Sequence, residues 1–205
     1  MISTTAANSD SVYALTGGIA CGKSTTAALL RERGWQIIDT DDLAHRLMEP
    51  GGENWQKIVD AFGPAILHSN QTIDRGSLGD LIFREPHLRG KLNSLTHPAI
   101  RKAWQQERDR FLEKANGLAT GKKLIIVIPL LFEAELEHEF KTVICVGCSS
   151  ALQRQWLRER GLNEVQIAQR LASQWPIEEK AHRSHRLIWN EGNLEILIRQ
   201  IARLT

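Results

Sequence analysis

The stretch TGGIACGKSTT at residues 16–26 holds the residue types that bind phosphate. Its spacing, Gly17-x-x-x-x-Gly22-Lys23-Ser24, fits the P-loop pattern and lies between a predicted strand and a predicted helix. Glycines let the backbone turn its N–H groups inward, and the start of the helix adds partial positive charge. Lys23 can bridge the outer phosphates of a nucleotide, and the hydroxyl of Ser24 can bind magnesium. The sequence therefore predicts a nucleoside triphosphate site at this loop.

A cluster of acids, Asp39-Thr40-Asp41-Asp42, follows the second predicted strand. In an open parallel sheet, the carboxyl end of that strand lies on the same edge as the phosphate loop. A carboxylate at this edge can orient an acceptor hydroxyl and accept its proton. We expect Asp41 to be the catalytic base. We expect Asp39 either to support Asp41 or to contact the ligands of the metal ion rather than the ion itself. We expect Asp42 to be the N-cap of the next helix.

Other positions in the sequence help to distinguish an enzyme that transfers a phosphoryl group from a nucleotide-dependent switch and from a nucleotide hydrolase. The third predicted strand, LIIVIPLL, has no acid with which a motor ATPase would hold magnesium, and Glu133 just after it is the nearest candidate. The N-K-x-D motif of guanine-nucleotide switches is absent from the sequence, and the D-x-x-G at 60–63 falls in a predicted helix. Arg154 and Arg158, four residues apart, share one helix face after the fourth strand. A lid there could deliver guanidinium groups and exclude water, which favours transfer to a bound acceptor.

The elements that must position these residues follow from apolar patterning. Short apolar runs, two of them typical of strands buried on both faces, predict strands at 12–16, 35–39, in KKLIIVIPLL, in KTVICVG and at 185–189. Amphipathic helices fill residues 42–117, which we interpret as an inserted helical lobe, and the pair His97-Pro98 is expected to break the last of them. Asn163 is expected to cap a later helix. The prediction is an α/β fold of the P-loop NTPase type, with a parallel sheet of about five strands between helices.

Composition limits the classes of partner. The chain of 205 residues is large enough for one well-buried core, and its net charge of +2 makes no case for a nucleic-acid or membrane surface. The first residues, MISTTAANSD, lack the basic start and apolar block of a signal peptide, so we expect a cytoplasmic protein.

The three cysteines are too few for a disulfide framework. Cys145 and Cys148 form a single C-x-x-C without the further ligands of a zinc site, and we expect the first in a buried strand and the second in a loop. Cys21 lies inside the phosphate loop, where a helix N-terminus can make a thiol reactive. We interpret it as a small residue that binds through its backbone N–H.

With these motifs in this order, the sequence resembles the dephospho-CoA kinase family over residues 12–203. The matching segments are LTGGIACGKST, IIDTDDLAHRLMEPGG, IDRGSLGDLIF, LNSLTHPAI, IPLLFE, the arginine pair, RLASQWPIEEK and IWNEG. The resemblance implies a nucleotide-binding core at 12–41, 118–150 and 184–205, a helical acceptor-binding insertion at 42–117 and a lid at 150–183. It also implies phosphorylation of the ribose 3′-hydroxyl of dephospho-CoA by ATP with Mg²⁺, the last step of coenzyme A biosynthesis.

The resemblance also implies roles for individual residues. The catalytic set is Asp41, Lys23, Arg154 and Arg158. The residues expected to contact ATP are Gly18, Ala20, Cys21, Gly22, Lys23, Ser24, Thr25 and Asn190, the last near the adenine. Those expected on the acceptor side are Asp39, Arg75, His97 and Leu131. Ala20 replaces a glycine usual in the family, so an ordinary negative φ is expected there.

Expectations about partners follow from the same resemblance. The partner is dephospho-CoA, without nucleic acid or membrane, and the protein is a monomer or weak homo-oligomer. A kinase of another nucleoside- or sugar-type small molecule is the alternative, and a nucleotide-binding regulatory module without chemistry is a third reading.

Overall fold

Strands and helices alternate along the chain in the computed structural model, which describes residues 10–116 and 121–204. The strands are β1 (Val12–Gly17), β2 (Gln36–Asp39), β3 (Leu124–Val127), β4 (Thr142–Gly147) and β5 (Arg186–Trp189). The helices are α1 (Lys23–Glu32), α2 (Thr40–Leu47), α3 (Trp55–Phe62), α4 (Arg75–Arg84), α5 (Pro86–Asn116), α6 (Ser150–Glu159), α7 (Glu164–Ala172), α8 (Ile177–Arg183) and α9 (Leu194–Ala202). Short 3₁₀ turns at Pro64–Ile66 and Glu137–Glu139 complete the described elements.

Within the described residues, the five strands form one parallel sheet in the order β2-β3-β1-β4-β5. The central strand β1 pairs with β3 and β4, so that Leu15 lies opposite Val127 on one side and Ile144 on the other. Every residue of β3 is buried, as is every residue of β4 after Thr142, which is why both strands are continuous apolar runs. The predicted fold class is confirmed.

The chain divides into two compact units. The first, residues 1–38 and 111–205, contains nearly all of the sheet and has a core built from β1, β3, β4, α1 and α9. The second, residues 39–110, is helical, and its core is built around the buried side chains of Ile58, Ile66, Ile73 and Leu78. The D-x-x-G at 60–63 lies at the end of α3 in this second unit, as expected for a helical segment.

The expected helix break at His97-Pro98 is wrong, because α5 continues through Pro98. Proline removes one backbone hydrogen bond and disfavours helix at the residue before it. The neighbours Thr96 and Ala99 are both buried, and the hydroxyl of Thr96 donates to the carbonyl of Leu92 at 3.0 Å. Burial of adjacent turns therefore outweighs the local preference at the proline.

The prediction that Asn163 caps a helix is confirmed. Its side chain accepts from the N–H of Gln166 at 2.9 Å, while the Gln166 side chain accepts from the N–H of Asn163 at 3.0 Å, a capping box at the start of α7. No helix in residues 10–116 and 121–204 combines the length and apolar character needed to cross a membrane.

Candidate active site

The phosphate loop connects β1 to α1 and has the backbone geometry that its glycines predict. Gly17 has φ of 147° and Gly22 has φ of 97°, both in the region that favours glycine. A Cβ atom at Gly17 would collide with the backbone of Val146, and one at Gly22 would collide with the amide of Asn190. Gly22 is the N-cap of α1 and has no side chain to cover the N–H groups of the first turn. The loop therefore ends in a helix start suited to an anion.

Ala20 contradicts the expectation of an ordinary backbone angle, since its φ is 61°. The loop requires the left-handed conformation at this position whether or not the residue is glycine. The side chain of Ala20 is buried in a small apolar cluster with Leu157 of α6 and Ile167 of α7. Packing of the methyl group offsets part of the backbone strain.

Lys23 bends back over the loop that it follows. Its Nζ donates to the carbonyl oxygens of Gly17 and Gly18, at 3.1 Å and 2.9 Å. These bonds hold the ammonium group beside the loop, within the same turn that presents the N–H groups. The side chains of Ser24 and Thr25 follow in the first turn of α1 and are exposed.

Two glutamines hold the loop from the other side, and sequence reasoning missed both. The N–H of Ile19 donates to Oε1 of Gln174 at 3.0 Å, and Nε2 of Gln153 donates to the carbonyl of Ile19 at 2.7 Å. The two residues also line a cavity of about 220 Å³ that borders the loop at Gly18. Gln174 belongs to the segment RLASQWPIEEK. Its polar side chain just after an amphipathic helix is the one sequence feature that could have indicated a contact with the loop.

The acid cluster begins the helical unit. Asp39 ends β2 and is the N-cap of α2, with its Oδ1 accepting from the N–H of Asp41 at 2.9 Å. The expectation that Asp42 is this cap is wrong, because α2 begins at Thr40, two residues earlier than its apolar pattern indicated. Asp41 and Asp42 are both exposed acids in the first turn of α2.

The arginine pair lies on one face of α6, as its spacing predicts, and both side chains contact one carboxylate. Arg154 Nη1 is 3.2 Å from Oε2 of Glu164, and Arg158 Nε is 2.5 Å from Oε1 of the same group. The hydrogen bond from Arg158 is the main cause that lowers the pKa of Glu164 below its ordinary value, and Arg154 adds to it. Glu164 thus occupies the guanidinium groups much as a phosphate would. Sequence reasoning did not single out Glu164.

The chain also matches proteins of a known family. The sequence profile of the family described as Dephospho-CoA kinase matches residues 11–195. The chain belongs to the dephospho-CoA kinase family. It is 39% identical over 188 residues to the dephospho-CoA kinase of Geobacillus kaustophilus, with 91% of each chain covered. It is 39% identical over 194 residues to the enzyme of the same name from Anaeromyxobacter dehalogenans, covering 94% of this chain and 90% of that one.

Solved structures agree on the fold of a dephospho-CoA kinase. A crystal structure of a Thermus thermophilus protein superposes with a TM-score of 0.74 at 30% identity, covering 94% of this chain and 95% of that one. The dephospho-CoA kinase of Campylobacter jejuni gives a TM-score of 0.65 at 26% identity, with 95% of both chains covered.

Asn190 and Glu133 both have structural partners. Nδ2 of Asn190 donates to the carbonyl of Cys21 at 3.0 Å, so this side chain supports the loop backbone. Glu133 forms an ion pair with the fully buried Lys180, with 2.8 Å between Oε1 and Nζ, and it also accepts from the N–H of Trp175. Glu133 is therefore a buried anchor for α8, and its carboxylate is not available as the acid of a motor ATPase.

The remaining residues expected on the acceptor side are found in different settings. Leu131 is fully buried in the first unit. Arg75 is the first residue of α4 in the second unit, after the N-cap Asp74. His97 lies inside α5, where partial burial lowers the pKa of its imidazole and favours the neutral form near pH 7.

Proposed function

We propose that this protein transfers the γ-phosphoryl group of ATP to the ribose 3′-hydroxyl of dephospho-CoA. The main observation behind this proposal is the match of the family profile for dephospho-CoA kinase to residues 11–195. The phosphate loop supports it, because its glycine angles and the uncovered start of α1 suit a nucleotide. We also propose that the enzyme acts in the cytoplasm as a monomer or weak homo-oligomer.

The nucleotide would be held by the loop backbone. The N–H groups of Ala20, Cys21 and Gly22 would bind the inner phosphates, and those of Lys23, Ser24 and Thr25 would continue the set into α1. On binding, Nζ of Lys23 would exchange the carbonyls of Gly17 and Gly18 for phosphate oxygens, which carry a full charge. Asn190 would keep the carbonyl of Cys21 fixed while this happens, beside its expected place near the adenine.

The residues present fit a magnesium ion bound with the nucleotide. The described residues contain no cluster of three His, Cys, Asp or Glu side chains that could hold a metal alone, so phosphate oxygens and water would complete the shell. The exposed hydroxyl of Ser24 in the first turn of α1 is the protein ligand of this type. When bound, the ion neutralises charge on the transferring phosphate.

Asp41 would accept the proton of the acceptor hydroxyl. It stands in the first turn of α2 at the end of β2, and its N–H is fixed by the side chain of Asp39. Arg154 and Arg158 would exchange Glu164 for the transferring phosphoryl group, in a lid formed by residues 150–183. Arg75, His97 and Leu131 are proposed to line the acceptor.

The test is to detect coenzyme A by mass spectrometry after mixing the protein, Mg-ATP and dephospho-CoA. Coenzyme A should form with the wild type and at least about 100-fold more slowly with Asp41→Asn, because a positioned base contributes that much. Asp42→Asn, a neighbouring exposed acid, is the matched control and should retain activity. ADP release with a nucleoside or sugar acceptor, and none with dephospho-CoA, would overturn the proposal in favour of the alternative kinase.

A further inference from the structure

Two thiols face one another beneath the phosphate loop. Cys21 belongs to the loop and Cys148 follows the end of β4, and their Sγ atoms are 3.4 Å apart although 127 positions separate them in sequence. Both side chains are fully buried. The partner of Cys148 is therefore the loop cysteine rather than Cys145, with which it forms the C-x-x-C of the sequence.

The two sulfur atoms differ in chemical character. The S–H of Cys148 donates to Sγ of Cys21, and this bond, assisted by the charge of Lys23, holds the pKa of Cys21 below its ordinary value. The same interaction raises the pKa of Cys148. Burial raises the pKa of Cys145 to about 11, so this third thiol is inert by comparison. Because both thiols are buried, a peroxide reaches them only when the loop opens locally, and Cys21 is then the sulfur suited to attack and Cys148 the one suited to resolve.

We propose that Cys21 and Cys148 form a modification site at which hydroperoxides convert the two thiols into a disulfide that disables the phosphate loop. The Cys21 thiolate attacks one peroxide oxygen, forming an S–O bond and breaking the O–O bond, and the departing oxygen takes a proton. The Cys148 sulfur then attacks Cys21, the S–O bond breaks, and hydroxide leaves with the Cys148 proton as water. Two thiols and one hydrogen peroxide give one disulfide and two waters.

The disulfide would act on the loop backbone. A disulfide needs about 2.05 Å between its sulfur atoms, so the pair must close by more than 1 Å from its reduced separation. Around Cys21, its carbonyl accepts from Asn190, and its Sγ already lies close to Gly18. The loop therefore has little room to adjust, and a displacement of about 1 Å in a phosphate site lowers rate by about 100-fold.

The disulfide between Cys21 and Cys148 rests on the proposed function only in that the phosphate loop is taken to bind ATP. The experiment treats the full-length protein with hydrogen peroxide, blocks free thiols and maps peptides by mass spectrometry without reduction. The expected result is a crosslink between the peptides containing Cys21 and Cys148, with ATP affinity reduced in the oxidised protein and restored by dithiothreitol. ATP affinity is measured by fluorescence of a labelled nucleotide, so it is informative even if dephospho-CoA is not phosphorylated.

Variants of residues outside the nucleotide site supply the controls. Cys148→Ala should retain basal ATP binding and lose the reversible inactivation, and Cys148→Ser provides a second variant if the alanine form folds poorly. Cys145→Ala should be inactivated like the wild type. A crosslink that leaves ATP affinity unchanged, a sulfinic acid at Cys21 without a crosslink, or reversible inactivation that persists in both Cys148 variants would each overturn the proposal.

Discussion

Removal of one partner of the Lys180–Glu133 ion pair should destabilise the protein more than any surface ion pair does. Lys180 is fully buried and Glu133 is 16% exposed, and Nζ also donates to the carbonyl of Pro129 at 3.0 Å. Lys180→Met removes the counter-charge of Glu133, whose buried Oε2 has no hydrogen-bond partner even with Lys180 present. Loss of one partner of such a pair costs about 3–5 kcal/mol. For a chain of this length that corresponds to a Tm lower by about 6–20 °C.

The assay is urea unfolding followed by tryptophan fluorescence, with the Tm from calorimetry. Lys57→Met is the matched control, because Lys57 and Glu53 are both about half exposed, at 49% and 47%, and their separation is 3.4 Å. That pair contributes about 0.5 kcal/mol. The double variant Glu133→Leu, Lys180→Met removes both charges and should recover most of the loss. A buried pair is expected to lose about 3–5 kcal/mol of unfolding free energy when one partner is removed. The reasoning is refuted if Lys180→Met and Lys57→Met lower the free energy of unfolding by amounts that differ by less than about 1 kcal/mol.

Three further predictions follow from the site. Glu164→Gln should lower KM for ATP by a small factor, because breaking this exposed ion pair releases Arg154 and Arg158 for phosphate. Initial rates test this, with Glu159→Gln as the control, and an unchanged KM argues against competition between Glu164 and the nucleotide. Gln174→Leu should lower kcat/KM for ATP by roughly 5- to 30-fold, because the N–H of Ile19 in the loop would lose its partner at a cost of about 1–2 kcal/mol. The exposed Gln169→Leu should leave kcat/KM unchanged, and equal losses in both variants would contradict a role of Gln174 in holding the loop. The lowered pKa of His97 means that the folded state binds its proton less readily than the unfolded state, so the free energy of unfolding should fall as pH drops through about 6.5. His97→Gln should show a shallower fall between pH 7 and pH 5 in urea titrations, and a steeper one would contradict this sign.

The parts of the fold that could be predicted are those fixed by local patterns. The apolar runs of β3 and β4, the position of the glycine-rich loop between a strand and a helix, and the cap at Asn163 depend on neighbours within a few residues, and the structure confirms them. The order of elements then required a parallel sheet. In a parallel sheet all strands end at the same edge, which is why the acids after β2 could be singled out from the sequence.

The parts that could not be predicted depend on contacts between distant segments. The hydrogen bonds to Ile19 come from Gln153 and Gln174, 134 and 155 positions away, and the neighbour of Cys21 is Cys148, which follows β4 and is 127 positions away. No periodicity encodes these contacts. The errors have the same origin, because burial around Pro98 and packing of Ala20 against α6 and α7 overruled preferences that are local.

Ala20 also bears on how such a loop can change over generations. The left-handed backbone penalises alanine by about 1–2 kcal/mol relative to glycine, whereas burial of its methyl group returns roughly 0.8 kcal/mol. Burial therefore offsets part of the backbone cost, so an exchange between alanine and glycine at this position should change stability by about 1 kcal/mol or less, and their codons differ by one base. A sequence can therefore drift between them without crossing a nonfunctional intermediate. A bulkier side chain would meet Leu157 and Ile167 and would leave this neutral path.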